Sequence, residues 1–171
     1  MDLNTERLWI RKFKPTDWRA VYSYTSDREV MRFLPEGVHT EKDSKAFVNQ
    51  NCDGVAKHFP VITLENNQLI GHMTFHKYFG DHTYEIGWVF HRDHHNKGYA
   101  SEAAQALLKY GFETIQLHRI IATCQPENYS SHRVMEKIGM RKEGFFKKCI
   151  PMEEGWWDEF YYAILEEEYS T

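Results

Sequence analysis

Ile86-Gly87-Trp88-Val89-Phe90, followed by His95-Asn96-Lys97-Gly98-Tyr99-Ala100 and then Ser101-Glu102-Ala103-Ala104-Gln105-Ala106-Leu107-Leu108, decides how this chain is read. An apolar strand runs into a short glycine-centred loop that opens a helix. Small or apolar residues at Ala100, Ala103, Ala104, Leu107, Leu108 and Phe112 follow the spacing of a helix face buried on a sheet. At such a junction successive backbone N–H groups converge and the helix N-terminus favours negative charge, so the loop reads as a cradle for a phosphate. Gly98 lets the backbone approach an anion without a Cβ, Ala100 and Ser101 keep the first turn small, and Lys97 and Arg92 add positive charge. A plain strand-to-helix turn is the alternative reading of this segment taken alone.

Before this segment, apolar runs rich in β-branched and aromatic residues predict strands over Phe59 to Leu64, Leu69 to Lys77 and Thr83 to Phe90, with turns at Glu65-Asn66-Asn67-Gln68 and Phe79-Gly80-Asp81-His82. An opening strand from Leu8 to Phe13 precedes two helices. The first is expected to be capped by Thr16 or Asp17, with Trp18, Val21 and Tyr22 on its apolar side, and the second starts at Thr40, which stands in capping-box spacing with Asp43. After the long helix, expected from Gly98 to about Ile115, come a strand over Arg119 to Cys124, a helix from Tyr129 to Ile138, and strands near Lys142 to Cys149 and Trp156 to Ala163. Patterning by itself supports a mixed α and β domain, and 171 residues without a long linker or repeat predict one domain spanning 1–171.

A net charge of −4 from 21 basic and 25 acidic residues provides no basic face, so nucleic acid is not the expected partner. No run approaches the roughly eighteen apolar residues of a membrane span, and the N-terminus lacks a signal-peptide pattern. The three cysteines, Cys52, Cys124 and Cys149, form neither a disulfide framework nor a Cys-x-x-Cys motif, which fits reduced thiols and a cytoplasmic protein with no membrane partner.

The phosphate loop resembles the coenzyme A pyrophosphate motif of the GNAT superfamily of N-acetyltransferases, Gln/Arg-x-x-Gly-x-Gly/Ala, with His95 in the first slot followed by Gly98 and Ala100. Upstream, Thr5-Glu6-Arg7-Leu8-Trp9-Ile10-Arg11 resembles the first strand of the Rim-type branch, which acetylates ribosomal-protein N-termini. Downstream, Asn128-Tyr129-Ser130-Ser131 with Glu136-Lys137-Ile138-Gly139-Met140 resembles the second half of that family's core, Asn-x-x-Ala/Ser followed by a helix ending in Gly-Phe. The resemblance implies the GNAT acyl-CoA N-acyltransferase fold: α/β (α+β), a mixed, mainly antiparallel sheet flanked by helices in the order β-αα-βββ-α-β-α-ββ, opened where two central strands separate. It implies acetyl-CoA as the acyl donor, no metal, and direct transfer to an amine, with the two helices before the meander and the Pro35-Glu36-Gly37 turn on the acceptor side.

The same resemblance places the pantetheine arm along the end of the strand, so Trp88, Val89 and Phe90 are assigned to the cofactor through their main chain, where one N–H polarises the thioester carbonyl. His95, Asn96, Lys97, Gly98, Tyr99, Ala100 and Ser101 are assigned to the pyrophosphate. Glu85, a carboxylate among apolar strand neighbours, is a candidate general base; a solvent-side strand residue is its alternative. Many relatives carry an acid tyrosine where this chain has Met135, which moves attention to Ser131 as proton donor or pantetheine contact. Asn128 either caps its helix or bonds the pantetheine, and Arg133 and Lys137 either meet the 3′-phosphate or stay solvated. Cys124 is expected to be structural.

His91, His94 and His95 with Asp93 lack the spacing of a zinc motif, so no metal is expected. Trp156, Trp157, Phe160, Tyr161 and Tyr162 could line an acceptor pocket, stack on adenine, or serve core and homodimer contacts. The acceptor implied is a primary amine, with the N-terminal motif favouring a protein or peptide α-amine over a small amine. Loss of the usual acid at Met135 keeps one alternative in view, a catalytically weak coenzyme A-binding or partner-docking module.

Overall fold

The computed structural model describes residues 1–169. The central meander forms where patterning predicts it, as β3 (His58–Thr63), β4 (Leu69–Lys77) and β5 (Thr83–Phe90), all antiparallel. Polar turn residues supply the reversals, with Asn67 at φ 54° and Gly80 at φ 66°. In front lie β1 (Leu3–Asn4), which patterning did not predict, and β2 (Leu8–Ile10), shorter than the expected opening strand. Past Ile10 the chain leaves the sheet and sinks Phe13 into a second core under the first two helices.

Helix α1 (Trp18–Thr25) buries Val21, Tyr24 and Thr25, and Tyr22 lies at the edge of that face. Its expected side-chain cap is absent. The Asp17 carboxylate instead accepts hydrogen bonds from Arg11 (2.7 and 3.0 Å) and from the Lys14 N–H (2.8 Å), closing a 3-10 turn over Pro15–Asp17. Helix α2 (Glu41–Gln50) starts with the capping box, Thr40 Oγ1 accepting from the Asp43 N–H and the Asp43 carboxylate from the Thr40 N–H.

Helix α3 (Tyr99–Lys109) packs on β2, β4 and β5 through Ala103, Ala104, Leu107 and Leu108. Complete burial of each leucine contributes about 1.5–3 kcal/mol of transfer free energy. The expected run to Ile115 continues as a π-helical segment, Tyr110–Ile115, widened where buried Gly111 lies against Ile120 and Leu117. Strand β6 (Arg119–Cys124), helix α4 (Tyr129–Lys137), the long hairpin β7 (Arg141–Met152) and β8 (Gly155–Leu165), and a closing turn α5 (Glu166–Tyr169) complete the chain.

One eight-stranded sheet results, in the order β1-β2-β3-β4-β5-β6-β8-β7, mixed and flanked by helices. Every neighbouring pair is antiparallel except β5 and β6. Those two strands match for only three positions, Thr83 with Arg119, Tyr84 with Ile120 and Glu85 with Ile121, and then diverge. The residues of β5 beyond Glu85 keep β4 as a neighbour while losing β6, so the sheet forks at its middle. A core on one face joins α3 and α4 to the sheet, and a smaller one on the other joins α1 and α2.

The β4 side of the fork depends on close backbone packing at Gly71. A Cβ there would overlap the Val89 carbonyl and lie 2.9 Å from the Phe90 Cα. Gly71→Ala is therefore expected to cost about 1–3 kcal/mol, the range for overpacking a core. Chemical denaturation of the purified variant checks this, and a midpoint equal to the parent's would refute the packing argument.

Candidate active site

The phase of the β4–β5 ladder determines what the fork presents. The Ile70 carbonyl accepts the His91 N–H at 2.8 Å, and Gly71 stands opposite Phe90. Antiparallel bonding alternates residue by residue, so Val89 and Gly87 turn their peptide groups to β4, while Phe90 and Trp88 turn theirs into the opening. The Phe90 carbonyl agrees with this phase, since its partner is no strand but the His95 imidazole, Nε2 donating at 2.8 Å. Of the three strand residues assigned to the cofactor, the fork thus receives main-chain groups of Trp88 and Phe90. Val89 is directed to β4, and its side chain joins the core under α1 and α2.

At the mouth of the fork, Asn96 (φ 59°) and Gly98 (φ 80°) both take left-handed backbone before α3 begins at Tyr99. Such an arrangement aims consecutive N–H groups at one point and suits the paired phosphates of a coenzyme A tail. Ser101 is buried in the first turn, while His95, Asn96 and Lys97 are exposed. Arg92 is anchored to Asp27 at 3.1 Å and so ties the loop to the segment after α1.

Across the opening, Asn128 caps α4 through its side chain, which accepts the Ser131 N–H at 3.2 Å. Ser131 is half-buried at this helix start, whereas Arg133 is exposed further along. Met135 is buried in the core, so nothing at that position reaches the opening in place of the usual tyrosine. Cys124 is buried as well, and burial first, then Glu159, pushes its thiol up to about 12, which leaves it without the thiolate that covalent transfer requires.

Glu85 sits on the last rung before the strands part, on the α1–α2 face. Its Oε2 lies 3.7 Å from His76 Nε2, and Thr123 Oγ1 donates to Oε1 at 3.5 Å. Burial pushes its carboxyl up, opposed by His76 and reinforced by Glu159. A raised carboxyl in a fork is suited to taking a proton. The other nitrogen of His76, Nδ1, lies 2.9 Å from the Lys77 carbonyl, which can only accept. Nδ1 therefore carries a proton and Nε2 is the atom turned to Glu85.

Tyr161 completes this wall, with its ring 6.0 Å from Tyr78 and 5.5 Å from Phe146. Of the other C-terminal aromatics, Phe160 meets His132 on the opposite face, Tyr162 is buried, and Trp156 is exposed near the hairpin tip.

Of the residues around Glu85, His76 and Thr123 are not singled out by the sequence, whereas Tyr161 belongs to the aromatic run that could line an acceptor pocket. Folding the meander about the middle of the expected Phe79–His82 turn sets His76 opposite Glu85, so that signal was present. Nothing comparable marks Thr123, and the aromatic run does not say that Tyr161 is the ring beside Glu85; both arrive through a parallel crossover and a distant hairpin.

A forked sheet with an amide-lined helix start at its mouth is the architecture of a coenzyme A-dependent acyltransferase. A family model described as Acetyltransferase (GNAT) domain matches residues 7–141. The uncharacterized N-acetyltransferase YnaD of Bacillus subtilis is 65% identical over 170 residues, covering 99% of this chain and 100% of that protein. The crystal structure of an acetyltransferase (GNAT family) from Bacillus anthracis superposes with a TM-score of 0.96 at 67% identity, over 98% of this chain and 100% of that one. The ribosomal-protein-serine acetyltransferase of Escherichia coli is 28% identical over 136 residues, 77% of this chain and 75% of that protein. The chain belongs to the GNAT family of acetyltransferases. It is an N-acetyltransferase with acetyl-CoA as acyl donor. Among the described residues no helix is long and apolar enough to cross a membrane.

The α1–α2 face of the sheet contains two histidines that the fold holds neutral. His72 is buried with Tyr24 Oη 2.8 Å from its Nδ1, and burial, then His58 and His39, push it well down. Burial, then His76 and Lys57, push His58 to about 4 from an ordinary 6.5. Below pH 6.5 the unfolded chain binds protons at these positions that the folded chain resists, at His58 until about pH 4. The His58 contribution is complete above pH 6.5 and is lost as the pH falls towards 4, and His72 adds to the loss in the same direction. Thermal midpoints recorded across that window should drop for the parent and drop less for His58→Phe; parallel curves would refute the assignment.

Proposed function

We propose that this enzyme transfers the acetyl group directly from acetyl-CoA to a protein or peptide N-terminal α-amine, with Glu85 at the fork as proton acceptor. The observation that carries the proposal is the placement of a half-buried, raised carboxyl on the last β5–β6 rung, beside main-chain groups that have lost their ladder partner. The amine nitrogen attacks the thioester carbonyl, a main-chain N–H of Trp88 or Phe90 stabilises the oxyanion, and the carbon–sulfur bond breaks. Glu85 takes the amine proton, directly or through a water, with His76 next in line. Coenzyme A leaves as thiolate, since a thiol of ordinary pKa about 8.5 is an adequate leaving group, with the Ser131 hydroxyl donating a hydrogen bond to the sulfur or orienting the water that then protonates it.

Three features support an α-amine. An α-amine of pKa about 8 is roughly a tenth free base at neutral pH, so one moderately raised carboxyl suffices, whereas a lysine-type amine near 10.4 is below about 0.1% free. Glu85 and Glu159 with Tyr78 and Tyr161 form an anionic, aromatic wall that suits an incoming ammonium. The ribosomal-protein-serine acetyltransferase relative acts on a protein, by its name. Asn96, Lys97, Gly98, Tyr99 and Ala100 are assigned to the pyrophosphate, with His95 holding the loop to the strand, Ser101 in the first turn, Asn128 and Ser131 beside the pantetheine, and Arg133 towards the 3′-phosphate. Three unpaired thiols support a cytoplasmic setting, and exposed Phe145, Phe146 and Trp156 on the β7–β8 hairpin support a homodimer.

Calorimetric titration tests the donor site. The parent should bind acetyl-CoA in preference to NAD and ATP, and Gly98→Glu, which adds a bulky anion at a left-handed position, should abolish that binding; undiminished affinity would show the cradle to be misassigned. The acceptor is tested by thiol release on peptides with free N-termini, the same peptides blocked at the N-terminus but containing lysine, and spermidine. Free N-termini should be preferred, and Glu85→Gln should lower kcat/KM by about 10²-fold or more, the scale of general base catalysis. Acetylation of spermidine with none on peptides would overturn the acceptor assignment.

A further inference from the structure

The N-terminal segment Thr5-Glu6-Arg7 has no part in the chemistry above, yet it reaches the phosphate loop. Glu102, in the first turn of α3, has the wrong charge for a neighbour of a pyrophosphate. Its carboxylate is saturated by that segment: Oε1 accepts from Thr5 Oγ1 at 2.5 Å and from the Arg7 N–H at 2.9 Å, and Oε2 accepts from Arg7 Nε at 2.7 Å with Nη2 at 2.6 Å. The Nε–Nη2 edge of the guanidinium is thereby fixed. Its remaining nitrogen, Nη1, donates to the Lys97 carbonyl at 3.1 Å, and the group lies over the Tyr99 ring at 4.6 Å.

The consequence lies in the peptide between Lys97 and Gly98. In a trans peptide the carbonyl and the following N–H point in opposite directions. A bond from Arg7 to the Lys97 oxygen therefore turns the Gly98 N–H away from Arg7. The next peptide is fixed separately, because the Gly98 carbonyl accepts the Glu102 N–H at 3.0 Å. Without a holding group, a glycine at φ 80° gives the preceding peptide freedom to flip. A flipped peptide would point a carbonyl oxygen, rather than an N–H, at the phosphate.

We infer that Arg7 is a positioning residue for the acyl donor: by holding the Lys97 carbonyl it aims the Gly98 N–H at the pyrophosphate, and Glu102 serves to orient Arg7. The inference rests on the loop being the pyrophosphate site. It makes Arg7 act through geometry rather than through its charge, and only on ligands that contain the pyrophosphate.

Titrations of the full chain with acetyl-CoA and with acetylpantetheine, which lacks the pyrophosphate and adenosine, test it. The parent should prefer acetyl-CoA. Arg7→Gln should weaken acetyl-CoA about tenfold, the scale of one hydrogen bond to a charged group, and leave acetylpantetheine unchanged, which also shows that the variant is folded. Arg7→Lys keeps the charge but not the planar fork and should be as weak as Arg7→Gln. Recovery in Arg7→Lys, equal loss on both ligands, or full affinity in Arg7→Gln would each overturn the inference. A parent without preference for acetyl-CoA would overturn the loop assignment and this inference with it.

Discussion

Everything distinctive in this molecule depends on two neighbouring strands failing to stay paired. β5 and β6 share three rungs and then part, while β4 holds one side and β8 the other. A parallel pair needs a crossover, and here that crossover is α3, entered through the glycine loop at the end of β5. The geometry that opens the sheet thus also delivers a helix N-terminus to the mouth of the opening. Unpaired peptide groups are costly when buried. Trp88 turns its peptide groups and Phe90 its N–H to the fork, where a substrate with amide groups can satisfy them, while the Phe90 carbonyl is already met by His95.

The charges around this opening are arranged by environment more than by count. The chain is acidic overall, yet the loop before α3 presents backbone dipoles of positive sign, and the carboxylate nearest its helix start is neutralised by Arg7. On the α1–α2 face, His58 and His72 are held neutral beside Phe47, with ring centres 4.8 and 5.0 Å from it. Glu85 is moved the opposite way by the same cause, burial, towards its neutral form. Desolvation is thus the largest cause in both cases, keeping the two histidines neutral and raising the Glu85 carboxyl.

Much of the fold was legible in the sequence where local chemistry and pattern agree. The meander strands were readable because apolar runs are separated by turns of Asn and Gly, and the Thr40–Asp43 box because its donors and acceptors lie within one turn. The short strand β1 and the π-helical end of α3 were not, since two residues hold no pattern and the widened turn follows from Gly111 packing on Ile120. Asp17 shows the limit of a capping rule: its carboxylate finds a stronger partner in Arg11.

By itself the sequence determined the family and the donor, and it pointed to the loop from His95 to Ser101, because contiguous residues form that strand-to-helix junction and short-range rules govern them. It also marked Glu85 as a carboxylate out of place in an apolar strand. Only the tertiary structure decided which peptide groups of β5 face the opening, that Thr123 and Tyr161 stand beside Glu85, and that Arg7 grips the loop. Those facts join residues as much as 95 positions apart, and the sign of each depends on ladder phase and crossover geometry that no local pattern encodes.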